Sequence, residues 1–438
     1  MPTADVAVIG AGLAGLATAI ALADRGARVI VVAQGNGATH WSGGPIDIGV
    51  VPGAGSPSAA AAMLAERPGH PYALLAPLVE PALAWLSGVL AESGLPYVGN
   101  VLDPFRALPT GIGGTRPVAI VPESQAAALE PWTAGEGLVV AGIAGFKDLW
   151  PDAAAASLVR PAVWQGASRP ERVIGLSVDL PRASGRHNLN AVTLAGLFDD
   201  PAWRTEALDA IARTVERGWR GPARVGLPAV LGRRDHAGAL RDAAERIGRP
   251  VIELPLVPPG VPGVRLYEAL RKALHSRGGR IMLGEPIVGF EGRGVVRGIE
   301  VAAATRSVRV RAGSFVLATG GLVGGGIAAD PDGRLRETVF GLPVEGPPIE
   351  DWLAGDPLDP GDLRIAPAGL RTDADLRPVD PARPGGGPLF ENVHVVGAAL
   401  AGQRYLVERC GDGVAIASAF HAAARIAREG VLAGMAPA

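Results

Sequence analysis

The stretch from Asp5 to Gln34, DVAVIGAGLAGLATAIALADRGARVIVVAQ, restricts the fold more than any other part of the chain. Val6 to Ile9 is an unbroken apolar run, the pattern of a buried strand. Gly10, Gly12 and Gly15 follow in G-x-G-x-x-G spacing, with Leu13 and Ala14 inside the motif. Leu16 to Arg25 has a helical pattern closed by Gly26, and Val29 to Val32 reads as a second buried strand. A strand–turn–helix–strand unit is the context that gives this glycine spacing meaning. The first glycine permits the tight turn, the second admits a pyrophosphate, and the third lets helix and strand pack closely. The helix N-terminus then offers N–H groups and a positive dipole end to phosphates. Dinucleotide or flavin binding is the expectation.

One part of that fingerprint is missing. An acidic residue is expected about 20 residues on, at the end of the second strand, to hold the adenosine ribose. Ala33 and Gln34 stand there instead, and no Asp or Glu occurs between Arg25 and Ile46. The residues alone leave the nucleotide open between FAD, FMN and NAD, with Gln34 the candidate at the ribose position.

Composition excludes several classes. Hydrophobic residues at 48% and charged residues at 19% fit a globular protein with a large core. The net charge of −2 gives no electrostatic reason to expect nucleic acid or an anionic membrane. Cys410 is the single cysteine, so an intrachain disulfide, a Cys-ligated iron–sulfur cluster and a Cys-based zinc site are all excluded, and no metal site is expected. Electrons handled by this chain must pass through another cofactor. The N-terminus lacks a basic segment and enters a strand at once, so no signal peptide is expected. No membrane-spanning helix is expected either, and the chain is placed in the cytoplasm.

Further along, strand and helix patterns alternate again from Leu138 to Val257, including Leu138–Ile143, Pro151–Leu158, Pro201–Arg217, Ala237–Ile247 and Val251–Val257. Phe315 to Gly321 is a strand feeding a glycine turn, and Val393–Val396 precedes a glycine-rich loop and a helix over Val414–Arg428. The expected fold is α/β: a discontinuous Rossmann-like flavin-binding domain with an inserted second α/β domain. The expected boundaries are residues 1–49, 258–326 and 384–438 for the flavin domain and 50–257 for the insertion. A loop-rich segment, 327–383, is expected to cover the site.

The order of these pieces resembles flavoproteins of the fumarate reductase and glutathione reductase kind, through Gly10 to Gly15, Ala318 to Gly321, and Asn392 to His421. A closer resemblance is to the B-subunit family of anaerobic glycerol-3-phosphate dehydrogenases. Its marks are ATHWSGGPID (Ala38–Asp47), HPYALL (His70–Leu75), PTGIGGTRP (Pro109–Pro117), GIAGFKDL (Gly142–Leu149), PPGVPGVRL (Pro258–Leu266) and CGDGV (Cys410–Val414). The family's C-G-G-G is C-G-D-G here, and the loop Ala401–Arg409 departs from the pattern.

The resemblance implies a flavin-bearing member of a quinone-linked complex. A homologous flavoprotein A subunit and an iron–sulfur C subunit are the implied partners, and the substrate is a small phosphorylated alcohol. The complex oxidises sn-glycerol 3-phosphate to dihydroxyacetone phosphate. The chain either performs that oxidation or relays its electrons, at the inner face of the membrane through a partner. A stand-alone fumarate-reductase-like enzyme and a scaffold that holds flavin weakly are the alternatives. The implied cofactor is a noncovalent flavin, FAD or, as usually given for this family, FMN. In the wider class a His attaches FAD covalently, but it lies further before its Gly-Gly pair than His40 lies before Gly43-Gly44. His40 is therefore expected to touch flavin or substrate without a covalent bond, as a candidate base, or to be a plain loop histidine.

Arg116 and Arg265 are each expected in a Gly/Pro-rich loop and are candidates for clamping a phosphate bidentately. Ser42, Gly43 and Gly44 are expected near the flavin ring. Thr319 and Gly320 are placed at the strand end, and Gly397, Gly411, Asp412, Gly413 and Val414 around the last helix. That helix would aim its positive end at the flavin and stabilise its anionic reduced form. Asp412 reads as a helix cap. Cys410 is either a thiol activated by the helix end or a small buried filler.

Overall fold

The computed structural model describes residues 3–180, 189–302 and 307–428. Two compact units divide the chain: Met1–Ala38, Asp47–Val89 and Leu270–Ala438 form the first, and Thr39–Ile46 with Leu90–Ala269 form the second. Residues 50–89 and 327–383 thus lie in the first unit and 258–269 in the second.

The first unit is built on the N-terminal motif. Strand β1 (Val6–Ile9), helix α1 (Leu13–Ala23) and strand β2 (Val29–Ala33) form as the apolar runs dictate. The parallel sheet runs in the order Arg280–Leu283, β2, β1, Ser314–Leu317, Val393–Val395. Val6 pairs with Val29 on one side and Ser314 on the other. Both faces of β1 are buried, as a central strand of a doubly covered parallel sheet requires. The closing helix, Gly411–Arg428, packs along α1 through a run of small residues.

Among the described residues one stretch, Tyr72–Glu92, is long and apolar enough to cross a membrane by length and composition alone. Tyr72, Leu75, Val79, Ala82 and Leu86 form its buried side, while Ala73, Glu80, Ala84 and Gly88 are exposed.

The second unit has its own parallel sheet, ordered Val251–Leu254, Ala223–Pro228, Gly137–Ile143, Arg172–Val178. Its helices carry standard end signals. Asp200 accepts from Ala202 N–H and Trp203 N–H at the start of Pro201–Gly218. Asp235 accepts from Gly238 N–H at the start of His236–Ile247, which Gly248 ends at φ 65°. Trp164, Phe198 and Trp203 fill the core, the last two edge to face at 5.1 Å.

Two local readings are corrected. Arg265 lies in a helix, Val261–Ser276, because Pro262 falls in its first turn, where proline is tolerated. Arg116 lies in a strand, Thr115–Val118, paired antiparallel with Arg106–Pro109 across the turn Thr110–Gly114. Proline and glycine mark loops in both stretches of sequence; each instead begins or joins a regular element.

Candidate flavin site

In the first unit β1 delivers the chain into Gly10 at φ 114°, and a Cβ there would lie 2.2 Å from the Ala318 carbonyl oxygen. A Cβ on Gly15 would lie 2.0 Å from the Gly10 carbonyl oxygen. Neither neighbour is a side chain that can swing away, so both positions admit only glycine. Gly12 caps α1 without a side-chain bond, and the first turn holds no acidic residue. The helix end is left to an external anion.

The other predicted pieces converge on this turn. Ala318 packs on Gly10 and Gly15, and the Ala14 methyl packs on Gly397. Gly397 N–H donates to Ser418 Oγ of the closing helix at 3.0 Å. Next to Ala318, Thr319 has a buried Oγ1 with no hydrogen-bond partner among the described residues, and Gly320 turns the chain at φ 80°. Leu13 is buried under the motif. At the start of the closing helix, Gly413 N–H donates to Asp47 O at 3.0 Å and Asp412 Oδ2 accepts from Asp47 N–H at 3.1 Å. Asp412 thereby ties down the 47–50 loop, while Gly411 and a fully buried Val414 open the helix.

Gln34 is exposed at the end of β2. The residue that sequence reasoning missed is Asn36. Its Oδ1 is buried and has no partner among the described residues, and its neighbour Gly37 comes against Gly12. The fingerprint puts its acidic residue at the strand end. Here the loop doubles back and brings Gly37, the residue after Asn36, against Gly12. An Asn between two glycines, G-N-G, was the available signal.

The second unit takes in Thr39–Ile46. Ala38–Trp41 is a short 3-10 helix, and the backbone around it is gripped closely. Gly260 N–H donates to His40 O at 2.9 Å and Gly263 N–H to Ser42 O at 3.1 Å. The Gly-x-x-Gly of the 258–266 stretch is thus the seat for the His40 loop. Gln125, fully buried, donates to Gly43 O at 2.8 Å, and Tyr97 OH donates to Gly44 O at 2.9 Å. Ser42 Oγ accepts from Gly44 N–H at 3.2 Å, and Arg116 lies beside Gly43.

His40 is half-buried, edge-on to Tyr267 at 4.7 Å, with Nε2 buried and unpartnered among the described residues. Loss of solvent holds its pKa below the ordinary histidine value, against the pull of Glu268. The ring is therefore neutral at neutral pH.

Arg265 is not available to a substrate. It is buried, its Nη1 and Nη2 bond Glu253 at 2.6 and 3.0 Å, and its Nε donates to Gly232 O at 2.7 Å. Burial raises the Glu253 carboxyl, but Arg265 and His236 outweigh it and hold the group ionised, below its ordinary pKa. Buried and paired bidentately with Glu253, this guanidinium has its charge already matched and is not presented to a phosphate. Cys410 is buried, and loss of solvent pushes its thiol pKa up, with Glu408 adding to the effect, so it is the inert filler of the two readings.

The FAD-binding domain family matches residues 5–414. The B subunit of the anaerobic glycerol-3-phosphate dehydrogenase of Pectobacterium atrosepticum is 30% identical, covering 97% of this chain and 99% of its own. A probable B subunit of the same kind of enzyme, from Halobacterium salinarum, is 32% identical over 430 residues, covering 95% of this chain and 96% of the relative. The chain belongs to the B-subunit family of anaerobic glycerol-3-phosphate dehydrogenases.

As a member of that family it is a flavoprotein whose cofactor is FAD. The residues fit that group: a helix end at Gly12 with no side-chain cap, a turn that excludes side chains at Gly10 and Gly15, and oxygens on Thr319 and Asn36 without partners among the described residues. The family name itself places its members in multi-subunit complexes. Among solved structures, a 3-ketosteroid Δ1-dehydrogenase of Sterolibacterium denitrificans is similar over 98% of this chain and 100% of its own, at 13% identity and a TM-score of 0.47.

Proposed function

We propose that the chain is the flavoprotein B subunit of a quinone-linked glycerol-3-phosphate dehydrogenase complex. It assembles with a homologous flavoprotein A subunit and an iron–sulfur C subunit. The observation that carries the reading is the joint one: full-length relatives of that name, and a glycine turn whose geometry admits a pyrophosphate and no side chain. The single, inert Cys410 supports it too, since the clusters such a complex needs must lie on another chain. The protein works at the cytoplasmic face of the membrane, held there by a partner.

Gly10, Gly12, Ala14 and Gly15 hold the pyrophosphate, with Leu13 beneath. Thr319, Gly320, Gly397 and Gly411 to Val414 line the rest of the flavin. Bound FAD supplies a two-electron acceptor. Oxidation of the alcohol removes a hydride from C2 and a proton from the hydroxyl. His40 takes the proton on Nε2, which is neutral, buried and unpartnered. Ser42, Gly43 and Gly44 are fixed by Gly263 N–H, Gln125 and Tyr97 respectively, so the base sits on a rigid loop. Arg116, beside Gly43, is the candidate for the substrate phosphate. Arg265 acts in this scheme only by holding Glu253.

The test begins with the visible spectrum of the purified chain, then acid release and chromatography of its flavin. FAD in the supernatant is expected. Anaerobic sn-glycerol 3-phosphate should bleach the visible flavin band, directly if the chain is catalytic or only with the A subunit present if it is a relay. A chain that takes up no flavin, alone or with its partners, would refute the flavoprotein reading.

A further inference from the structure

Two of the family marks, His70–Leu75 and Cys410–Val414, meet in the interior of the first unit. His70, Glu408 and Cys410 are 2%, 3% and 0% exposed. Glu408 Oε2 lies 3.4 Å from His70 Nε2 and 3.6 Å from Cys410 Sγ, and Sγ is 3.9 Å from Nε2. The other carboxylate oxygen accepts from Arg67 at 2.6 Å, and Arg404 N–H donates to Oε2 at 2.7 Å.

Nitrogen, oxygen and sulfur atoms at such separations suit a zinc ion. The hydrogen bonds argue against one. Tyr72 N–H donates to His70 Nδ1 at 3.1 Å, so Nδ1 presents its lone pair and the ring proton sits on Nε2. A metal at Nε2 needs the lone pair there. With the proton in that place the ring donates toward Glu408, the thiol does the same, and every member of the group has a partner.

What the network holds is the entry to the closing helix. Glu408 O accepts from Val50 N–H at 2.7 Å, and Cys410 leads directly into Gly411. The Tyr72 hydroxyl donates to Ile48 O and lies against Gly413. One short segment, Arg67–Tyr72, therefore grips both the turn before the helix and the loop beside its first turn.

We propose that His70 is a positioning residue for FAD, acting through Glu408 and Cys410 to set where the closing helix begins. This rests on the reading that FAD binds at that helix end. The aim of the helix's positive end tunes the stability of the anionic reduced flavin, so displacing it changes the redox potential as well as affinity.

The test uses the full-length FAD-loaded chain as wild type, His70→Gln and His70→Asn. The Gln amide can reach where the Nε2 proton points, whereas Asn is too short and offers its oxygen to Tyr72 N–H instead. The Gln chain is expected to keep the wild-type midpoint potential. The Asn chain is expected to bind FAD about tenfold more weakly, the scale of one charge-assisted hydrogen bond, and to show a lower potential. The two apoproteins are expected to melt alike. If the Asn chain is insoluble, Glu408→Gln carries the same expectation. Wild-type potential and affinity in the Asn chain, equal shifts in both variants, or one zinc per wild-type chain by elemental analysis would each overturn the proposal. A wild-type chain that binds no FAD would remove the reading beneath it, and that result appears before any variant is measured.

Discussion

The two candidate regions are built from different materials. In the first unit the nucleotide turn is made of backbone: Gly10 and Gly15 act by having no side chain, and the neighbours that exclude one are carbonyl groups. In the second unit the loop around His40 rests on the backbone donors of Gly260 and Gly263 and is clamped further by side chains: Gln125 on Gly43, Tyr97 on Gly44, Tyr267 against the ring. A backbone device fails completely on a small change. A side-chain device loses function in graded steps, because neighbours can partly replace a lost contact.

The largest effect follows on the backbone side. Gly15→Ala places a methyl 2.0 Å from the Gly10 carbonyl oxygen, and relief requires moving β1 or α1. The variant is expected to purify colourless and to regain no yellow colour on addition of FAD. A Gly15→Ala chain with wild-type FAD affinity would break the comparison at once.

The buried pair inside the second unit sets the next scale. Removing either partner of a buried ion pair costs about 3–5 kcal/mol, whereas replacing both by apolar groups costs far less. Glu253→Gln or Arg265→Met is expected to destabilise the chain by that amount in denaturant unfolding, and Glu253→Leu with Arg265→Met to recover much of it. The Glu253 pKa is lower in the folded state, so its contribution is present above the unfolded value and is lost as pH falls through the folded one. Glu253→Gln should flatten the acid limb of the stability profile. Equal costs for the double and single changes would show that Arg265 has a role beyond Glu253, and reopen it as a ligand.

His40 tests the side-chain region through its chemistry. If it is the base, His40→Gln lowers turnover by roughly 10²-fold, the lower end for a positioned base, and leaves FAD content unchanged. Its pKa is depressed by burial, so activity should fall on acidification only below the ordinary histidine range, and that limb should be absent from the Gln variant. Unchanged turnover with an unchanged limb would leave the loop with a purely structural histidine.

How far the sequence could be read follows the same division. The β1–α1–β2 unit was legible because periodicity and glycine spacing are local properties. The α/β character of the insertion was legible for the same reason, down to helices such as Pro201–Gly218 and His236–Ile247. Arg265 was not legible. Whether a guanidinium meets a phosphate or a carboxylate depends on Glu253, on a separate strand, and only packing brings the two together. The Gly260 and Gly263 seat for the His40 loop was hidden likewise, since its contacts join residues far apart in the chain.

Asn36 carries the smallest expected effect and the sharpest distinction, because it is a side chain attached to the backbone cradle. Its buried Oδ1 has no partner among the described residues, and Gly37 holds the loop against Gly12. A ribose hydroxyl of the adenosine half would satisfy that oxygen. This chain lacks the usual carboxylate, and a neutral amide makes a weaker bond than a charged acceptor. Asn36→Ala is therefore expected to weaken FAD by about five- to tenfold, near 1 kcal/mol, as read by flavin fluorescence titration. FMN has no adenosine, so its affinity should not change. Equal losses for both flavins would place Asn36 at the phosphate shared by the two, and no loss for either would return the ribose contact to Gln34.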